Sequence, residues 1–252
     1  IPAILWFSHM LIGGLEKLSL LDYPNNLAAI VFTQGCNFRC HFCYNPMLVW
    51  PRSEKLAPDE KDKDKGYPLI QEDDLFLFLQ KRLGKIDGVV ITGGEPTLHA
   101  DLPSFIKKIK AMGYLVKLDT NGTNFLMLET LFSEKLIDYI AMDIKAPWPK
   151  YEKVVGVPVN LENLQKSVKI IMSSGLPYEF RSTLLPDLHD ANDVEDMGKM
   201  IQGAERWYLQ KFKSDTNLVN VDFEGKNTFL DKELKELALI GSKFVKECRA
   251  RI

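Results

Sequence analysis

The chain has 252 residues, 46% of them hydrophobic and 26% charged, with a formal net charge of −2. That suits one globular domain with a large core, or at most two small ones. The charge balance offers no cationic excess for nucleic acid or an anionic membrane, and no apolar run approaches the roughly 20 residues a bilayer crossing needs.

Residues Ile1 to Phe7 are apolar but short and lack the basic flank of a signal peptide. Ser8-His9-Met10 reads as the join between a tag and a native start, so residues 1–9 are set aside and 10–252 are expected to form a single domain. Leu15 to Asn26 reads as a short strand followed by a Tyr-Pro-Asn-Asn turn. Leu27 to Thr33 is a continuous apolar run of strand length, as expected of a strand buried on both faces of a parallel sheet. A cysteine loop over residues 34–46 follows its C-terminal end. Residues 51–68 are polar, carry Lys61-Asp62-Lys63-Asp64-Lys65 and read as a solvated loop.

From there strands and helices alternate. Asp73 to Leu83 has Leu75, Phe78, Leu79 and Leu83 on one side and Gly84 as its stop. Ile86 to Thr92 is a strand. Asp101 opens a helix with Pro103 in its first turn and Gly113 closing it. Tyr114 to Leu118 is a strand, Asn124 to Lys135 a helix, Ile137 to Ile144 a strand, Asn160 to Ser174 a helix and Pro177 to Leu185 a strand. Asp193 to Gln202 is a helix, Arg206 to Phe212 a sixth strand, and a last helix is expected over 231–250 with Leu234, Leu237, Ile240 and Phe244 inward. Such alternation means βαβ units, a parallel sheet and right-handed crossovers. Six units suggest an α/β fold of the partial (β/α)6 barrel type rather than a closed eight-stranded one, with a doubly wound open sheet as the alternative.

The chemistry concentrates in Cys36-Asn37-Phe38-Arg39-Cys40-His41-Phe42-Cys43-Tyr44, where three of the four cysteines stand at C-x3-C-x2-C. The fourth, Cys248, is near the far end, so the set argues against a disulfide framework and for a reducing cytosol. Thiolates are soft ligands that select zinc, Cu(I) or iron–sulfur clusters. A 4Fe–4S cluster normally takes one thiolate per iron, so three cysteines leave one iron open to a substrate or cofactor. The alternative is zinc, with His41 or Cys248 as fourth ligand, although zinc loops usually come as paired knuckles and no second pair exists here. Gly93-Gly94-Glu95-Pro96 follows the apolar run Val89-Val90-Ile91: two glycines allow close backbone approach and a carboxylate can offset an ammonium. In parallel α/β folds functional groups collect at strand C-terminal ends, where this turn, the cysteine loop, Asp119-Thr120-Asn121-Gly122, Met142-Asp143-Ile144-Lys145-Ala146-Pro147 and Arg181 all fall.

C-x3-C-x2-C with an aromatic, Phe42, just before the last cysteine resembles the cluster loop of radical S-adenosylmethionine (SAM) enzymes, and Gly93-Gly94-Glu95-Pro96 is similar to that family's GGEP turn. The resemblance implies a 4Fe–4S cluster on Cys36, Cys40 and Cys43, with SAM chelating the open iron and one electron cleaving it to a 5′-deoxyadenosyl radical. It implies that Gly93, Gly94, Glu95 and Pro96 meet the SAM amino group, that Phe42, Tyr44, Asn121 and Ile144 also contact SAM, and that Lys145 and Arg181 face its carboxylate, an ion pair with Asp119 or Asp143 being the other reading of those two cations. Asp119, Thr120, the Met142 carbonyl and Asp143 resemble positions that, in glycyl radical enzyme activases, hold a monovalent cation, sodium or potassium, beside the SAM carboxylate. Larger activases carry a ferredoxin-like insert where this chain has the cysteine-free loop 51–68, so one cluster is expected.

Pyruvate formate-lyase activases have a His near the end of the last strand, where this chain has Tyr208-Leu209-Gln210-Lys211-Phe212. Leu21-Asp22-Tyr23-Pro24, Phe32-Thr33-Gln34-Gly35-Cys36-Asn37 and Met142-Asp143-Ile144-Lys145-Ala146-Pro147 with Tyr151 look most like activating proteins of anaerobic ribonucleoside-triphosphate reductase. That implies removal of a hydrogen from one glycine Cα of a protein partner, an electron donor such as flavodoxin or ferredoxin, a cytoplasmic setting, and no protein acid or base. The alternatives are a pyruvate formate-lyase-type activase, a small-molecule radical SAM enzyme such as 7-carboxy-7-deazaguanine synthase, or a non-catalytic metal module.

Overall fold

A computed structural model describes residues 8–50 and 68–252. The expected tag and solvated loop lie, apart from residues 8, 9 and 68, outside the described residues. The chain divides into two compact units: one comprises Ile1–Asn37, Asn45–Thr120 and Leu126–Tyr139, the other Phe38–Tyr44, Asn121–Phe125 and Ile140–Ile252.

The first unit carries β1 (Ile12–Ser19), β2 (Ala28–Thr33), the short α1 (Pro46–Val49), α2 (Glu72–Arg82), β3 (Gly88–Gly93), α3 (Leu102–Ala111), β4 (Leu115–Thr120) and α4 (Phe125–Ser133). Strand β1 runs antiparallel to β2, with Leu15 opposite Val31. The turn between them closes through the Asn26 N–H donating to the Tyr23 carbonyl at 3.1 Å, with Asn25 in the left-handed region that Asn tolerates. Strands β2, β3 and β4 are parallel, in registers that set Thr33 beside Gly93 and Ile91 beside Leu118. The uninterrupted apolar run of β2 is buried on both faces as expected. Leu75 and Leu79 of α2, Leu102, Phe105, Ile106 and Ile109 of α3, and Leu128 and Leu131 of α4 form the buried helix faces. Each set repeats at helical spacing, so burial of one stripe holds each helix. Leu83 lies exposed beyond the end of α2, so the apolar stripe of that helix is shorter than its sequence suggests.

The second unit carries β5 (Tyr139–Asp143), α5 (Tyr151–Val155), α6 (Leu161–Ser173), β6 (Tyr178–Leu184), α7 (Ala191–Met200), β7 (Arg206–Lys211), α8 (Asp231–Gly241) and β8 (Glu247–Arg251). Its strands are all parallel, with Asp143 beside Arg181, Phe180 beside Trp207 and Trp207 beside Cys248. Each unit therefore has an open run of four strands in chain order, the α/β class the alternation predicts.

One element corrects the sequence reading. The last helix does not reach residue 250: α8 stops at Gly241 and the chain turns back into β8. A Cβ on Gly241 would lie 2.6 Å from the Cys248 sulfur and 2.9 Å from the Trp207 ring, so glycine lets the helix end pack directly on β7 and β8. The buried face of α8 is Leu234, Leu237, Ala238 and Gly241, while Phe244 lies beyond it in the turn. Strand β8 is anchored by Arg251, whose guanidinium donates to both carboxylate oxygens of buried Glu179 at 3.2 and 3.1 Å and lies over the Tyr208 ring. Bidentate pairing is what makes a buried carboxylate tolerable on a strand.

Candidate active site

In the first unit, the end of β2 is fixed before the first cysteine is reached. The Gly35 N–H donates to the Leu48 carbonyl at 2.7 Å and the Cys36 N–H to the Val49 carbonyl at 3.1 Å, so the short α1 clamps the start of the cysteine loop. The glycine pair after β3 packs on the same backbone. Gly93 has φ +114, and a Cβ there would lie 2.4 Å from the Thr33 nitrogen; one on Gly94 would lie 2.1 Å from the Gly35 carbonyl oxygen. The Gly94 N–H donates to the Thr33 carbonyl and the Glu95 N–H to the Gly35 carbonyl, each at 2.8 Å. The close approach these glycines permit is thus made first to residues 33–35 of the protein itself.

Glu95 is buried, 1% exposed. Its Oε1 accepts from the Thr97 N–H at 3.0 Å, the Thr97 hydroxyl at 2.5 Å and the Thr120 hydroxyl at 2.7 Å, tying the end of β3 to the end of β4. Pro96 opens the single 3-10 turn Pro96–Leu98 that follows. On β4, Lys117 and Asp119 share a face because side chains two apart on a strand do. Lys117 is 1% exposed, its ammonium donates to Asp119 Oδ1, and it lies 5.8 Å from the centre of the Tyr139 ring.

In the second unit, residues 38–44 are held by three segments. The Arg39 N–H donates to the Val155 carbonyl at 2.8 Å, beside the left-handed Gly156 that ends α5. The Cys43 and His41 carbonyls accept from the Val219 and Asn220 N–H groups at 3.1 and 3.2 Å. The Tyr44 ring stacks on Phe212, and its hydroxyl accepts from the Lys213 N–H at 2.9 Å. Between them the Cys43 N–H donates to the Cys40 carbonyl at 3.1 Å. The Phe42 ring is buried edge-on against His189 and 6.0 Å from the Lys145 ammonium.

Cys40 is buried, and burial pushes its thiol up to about 12, although Lys145 draws it down. A thiol raised in this way is a poor free nucleophile, and a metal held there would have to displace its proton. His41 is not available as a fourth ligand. Its Nε2 donates to the Lys153 carbonyl at 3.0 Å, its Nδ1 faces the Asn220 amide at 3.3 Å, and its ring stacks on Phe223. Both ring nitrogens therefore serve the protein. Cys248 packs within β8, its thiol pushed up to about 12 by burial. Among the described residues no group of three or more Cys, His, Asp or Glu side chains stands around one ion-sized point; a cluster that seats each thiolate on a different iron does not ask for that arrangement.

At the end of β5, Asp143 is held from two sides. Its Oδ1 accepts from Arg181 Nε at 2.9 Å, the in-register neighbour on β6, and its Oδ2 from the Lys145 ammonium at 2.8 Å. Burial pushes the Asp143 carboxyl up, but Arg181 and Lys145 outweigh it and hold the group well below the usual carboxylate range. Burial draws Lys145 down, and Asp143 with Cys40 more than offsets this, so the ammonium stays charged. The backbone here is equally fixed: the Ile144 carbonyl accepts from the Ser182 hydroxyl at 2.7 Å and the Lys145 carbonyl from His189 Nε2 at 2.8 Å. Met142 is buried with its side chain against Gly122, where a Cβ would lie 2.2 Å from the methionine methyl. Asn121 Oδ1 accepts from the Thr123 N–H and hydroxyl at 3.0 and 2.7 Å, ordinary Asx-turn chemistry.

The structure thus gives Lys145 and Arg181 the ion-pair reading, on Asp143. Asp119 and Thr120 belong to the first unit and Met142 and Asp143 to the second. Sequence reasoning passed over Lys117, although a lysine inside an apolar strand and two residues before an aspartate signals a same-face buried pair. It also gave no role to His189, which holds the Lys145 carbonyl, or to residues 212–223, which brace the cysteine loop.

A family profile for the Radical SAM superfamily matches residues 30–201. A putative glycyl-radical enzyme activating enzyme, MJ1227, from Methanocaldococcus jannaschii is 32% identical over 240 residues, covering 93% of each chain. The pyruvate formate-lyase-activating enzyme of Streptococcus mutans is 28% identical over 210 residues, covering 81% of this chain and 75% of its own. Among solved structures, Streptococcus suis SuiB bound to its precursor peptide SuiA aligns with a TM-score of 0.60 at 16% identity. That likeness covers 85% of this chain and 44% of the SuiB chain, and it speaks to the fold alone. No helix among the described residues is long and apolar enough to cross a membrane. With a family match over well over half its length and its three cysteines on the loop that follows the first parallel strand, the chain belongs to the radical SAM superfamily and is an enzyme of that class.

Proposed function

We propose that this protein installs a glycyl radical on a partner enzyme, and that the partner is an anaerobic ribonucleoside-triphosphate reductase. The observation that carries the reading is the relative named as a glycyl-radical enzyme activating enzyme, matched over 93% of both chains. Cys36, Cys40 and Cys43 hold the cluster in this reading, and the engaged His41 ring supports a ligand set of cysteines without that histidine. A cluster held by these residues would supply the one-electron chemistry that cleaves SAM to a radical able to take a glycine hydrogen.

The chain's own residues do the rest. Gly93 and Gly94 set the turn after β3 against the backbone leading into Cys36, and Glu95 and Pro96 follow at the SAM amino end. Phe42, Tyr44, Asn121 and Ile144 line the remainder of the SAM site. Lys145 and Arg181 keep a positive field at the end of β5 and β6 through their shared Asp143, and that field favours a carboxylate. No side chain here needs to move a proton: the work is positioning and exclusion of water. A cytoplasmic setting and a flavodoxin or ferredoxin as electron donor complete the proposal.

The test is to mix the anaerobically reconstituted, reduced protein with SAM and a candidate reductase and record the electron paramagnetic resonance spectrum. A glycyl radical doublet on the reductase, absent with Cys40→Ala, is expected. 5′-Deoxyadenosine formed in step with a small-molecule product, and no doublet on any glycyl radical enzyme offered, overturns the activase reading.

A further inference from the structure

The expected monovalent-cation donors do not fit such an ion, because fixed side-chain cations already meet both carboxylates. In the first unit, Asp119 Oδ1 takes the ammonium of Lys117, and the Thr120 hydroxyl donates its proton to Glu95. In the second, the two oxygens of Asp143 take Arg181 and Lys145 at 2.9 and 2.8 Å. Within each unit, then, the candidate carboxylate already has a side-chain cation of its own before any ion arrives. A sodium or potassium ion needs oxygen donors with unspent negative charge, and a like-charged neighbour in a partly buried site repels it more strongly than in water.

Lys117 is the unusual member of this set. An ammonium that is 1% exposed on a strand interior is costly unless paired, and its chain neighbours Val116 and Leu118 are buried apolar residues. A core position would be served as well by a leucine or methionine, and among the described residues the anion that meets this ammonium is Asp119, with the Tyr139 ring face beside it.

We propose that Lys117 is the resident cation of Asp119, so that this enzyme neither binds nor requires sodium or potassium. Lys117 is a positioning residue: it neutralises Asp119 and fixes the end of β4, where Thr120 holds Glu95. The proposal rests on the radical SAM reading only for why a cation belongs at this place. Its test needs neither cluster nor SAM, so the failure of one is distinguishable from the failure of the other.

Cluster-free protein is melted in sodium, potassium and tetramethylammonium chloride at equal ionic strength, and sodium-23 line widths are recorded with and without it. The wild type should melt at one temperature in all three salts and leave the sodium line unbroadened. A higher melting temperature in sodium or potassium, or a broadened line that potassium sharpens, overturns the proposal. Lys117→Met strips Asp119 of its cation and should gain what the wild type lacks, a melting temperature that rises with sodium or potassium concentration by mass action. Lys117→Arg, which keeps the charge, should stay indifferent to the salt. A folded Lys117→Met protein that remains indifferent overturns the role given to Lys117. With the cluster loaded, 5′-deoxyadenosine formation by wild type should also be the same in potassium and in tetramethylammonium.

Discussion

Replacing Gly94 by alanine probes the contact on which the cysteine loop is seated. Gly94 is not among the glycines of positive φ, so its backbone is open to alanine, and the obstacle is space. The new methyl would meet the Gly35 carbonyl oxygen at 2.1 Å and its carbon at 2.7 Å, where ordinary contact begins at 3.4 Å. One backbone must therefore move by about 1.3 Å, the difference of those two distances, and the obstructing atoms are main chain rather than a flexible side-chain end. Overpacking of this kind costs about 1–3 kcal/mol. The shift also breaks the Glu95 N–H bond to Gly35, 2.8 Å long in the wild type, and a buried bond left unmade costs about 1–3 kcal/mol more. A total of about 2–6 kcal/mol corresponds to a melting temperature lower by on the order of 10 °C. The control is Gly84→Ala, at φ +69 with nothing within 4 Å, where only the left-handed backbone penalty of about 1–2 kcal/mol applies. Melting of the cluster-free proteins and iron content after anaerobic reconstitution would be measured together, because Gly35 immediately precedes Cys36. Gly94→Ala should be much the less stable and should lose iron. Equal melting of the two variants with full iron in both would refute the claim that the glycine turn seats the cysteine loop.

Ser182→Ala leaves the Ile144 carbonyl and the Trp207 indole N–H, now bonded at 2.7 and 2.9 Å, without their partner; at about 1–3 kcal/mol per orphaned group, urea denaturation should show a loss of about 2–6 kcal/mol, and a loss below about 1 kcal/mol would contradict the network. Cys40→Ala should abolish iron uptake, whereas His41→Ala should keep the iron and lose only stability, by about 1–2 kcal/mol; the reverse pattern would restore histidine as a ligand. His99 and His189 are buried, and burial holds both below the ordinary histidine value against their carbonyl contacts. A depressed folded-state value means their stabilising, neutral form is fully present above the unfolded value of about 6.5 and is lost as pH falls through the folded one, so urea midpoints should fall from pH 7 toward pH 5 and His189→Gln should flatten that fall. A midpoint that rises on acidification would reverse the sign argued here.

The class of fold was plain in the sequence because β2 is a run of apolar residues and each helix repeats its apolar stripe at 3.6-residue spacing. The end of α8 was not. Leu234, Leu237, Ile240 and Phe244 continue a helical period past Gly241, and only the packing of that glycine on Trp207 and Cys248 says that the helix stops. The cysteine loop and the glycine turn were legible as motifs, since their chemistry is carried by residue type and spacing. What the glycines approach was not legible: a motif gives the room, and tertiary contact gives the occupant, here the backbone of residues 33–35. Lys145 and Arg181 had two readings in the sequence, and the ion pair of the two with Asp143 depends on a strand register, Asp143 beside Arg181, that residue spacing does not give. Lys117 shows the same limit from the other side. Its charge stood in the sequence, but its burial against Asp119 depends on which face of β4 is covered.

The most direct test of the account is 5′-deoxyadenosine formation by anaerobically reconstituted protein, reduced with dithionite and given SAM, compared with Cys40→Ala. The account predicts product from the wild type and none from the variant. No product from a wild type that carries zinc and no iron would contradict it.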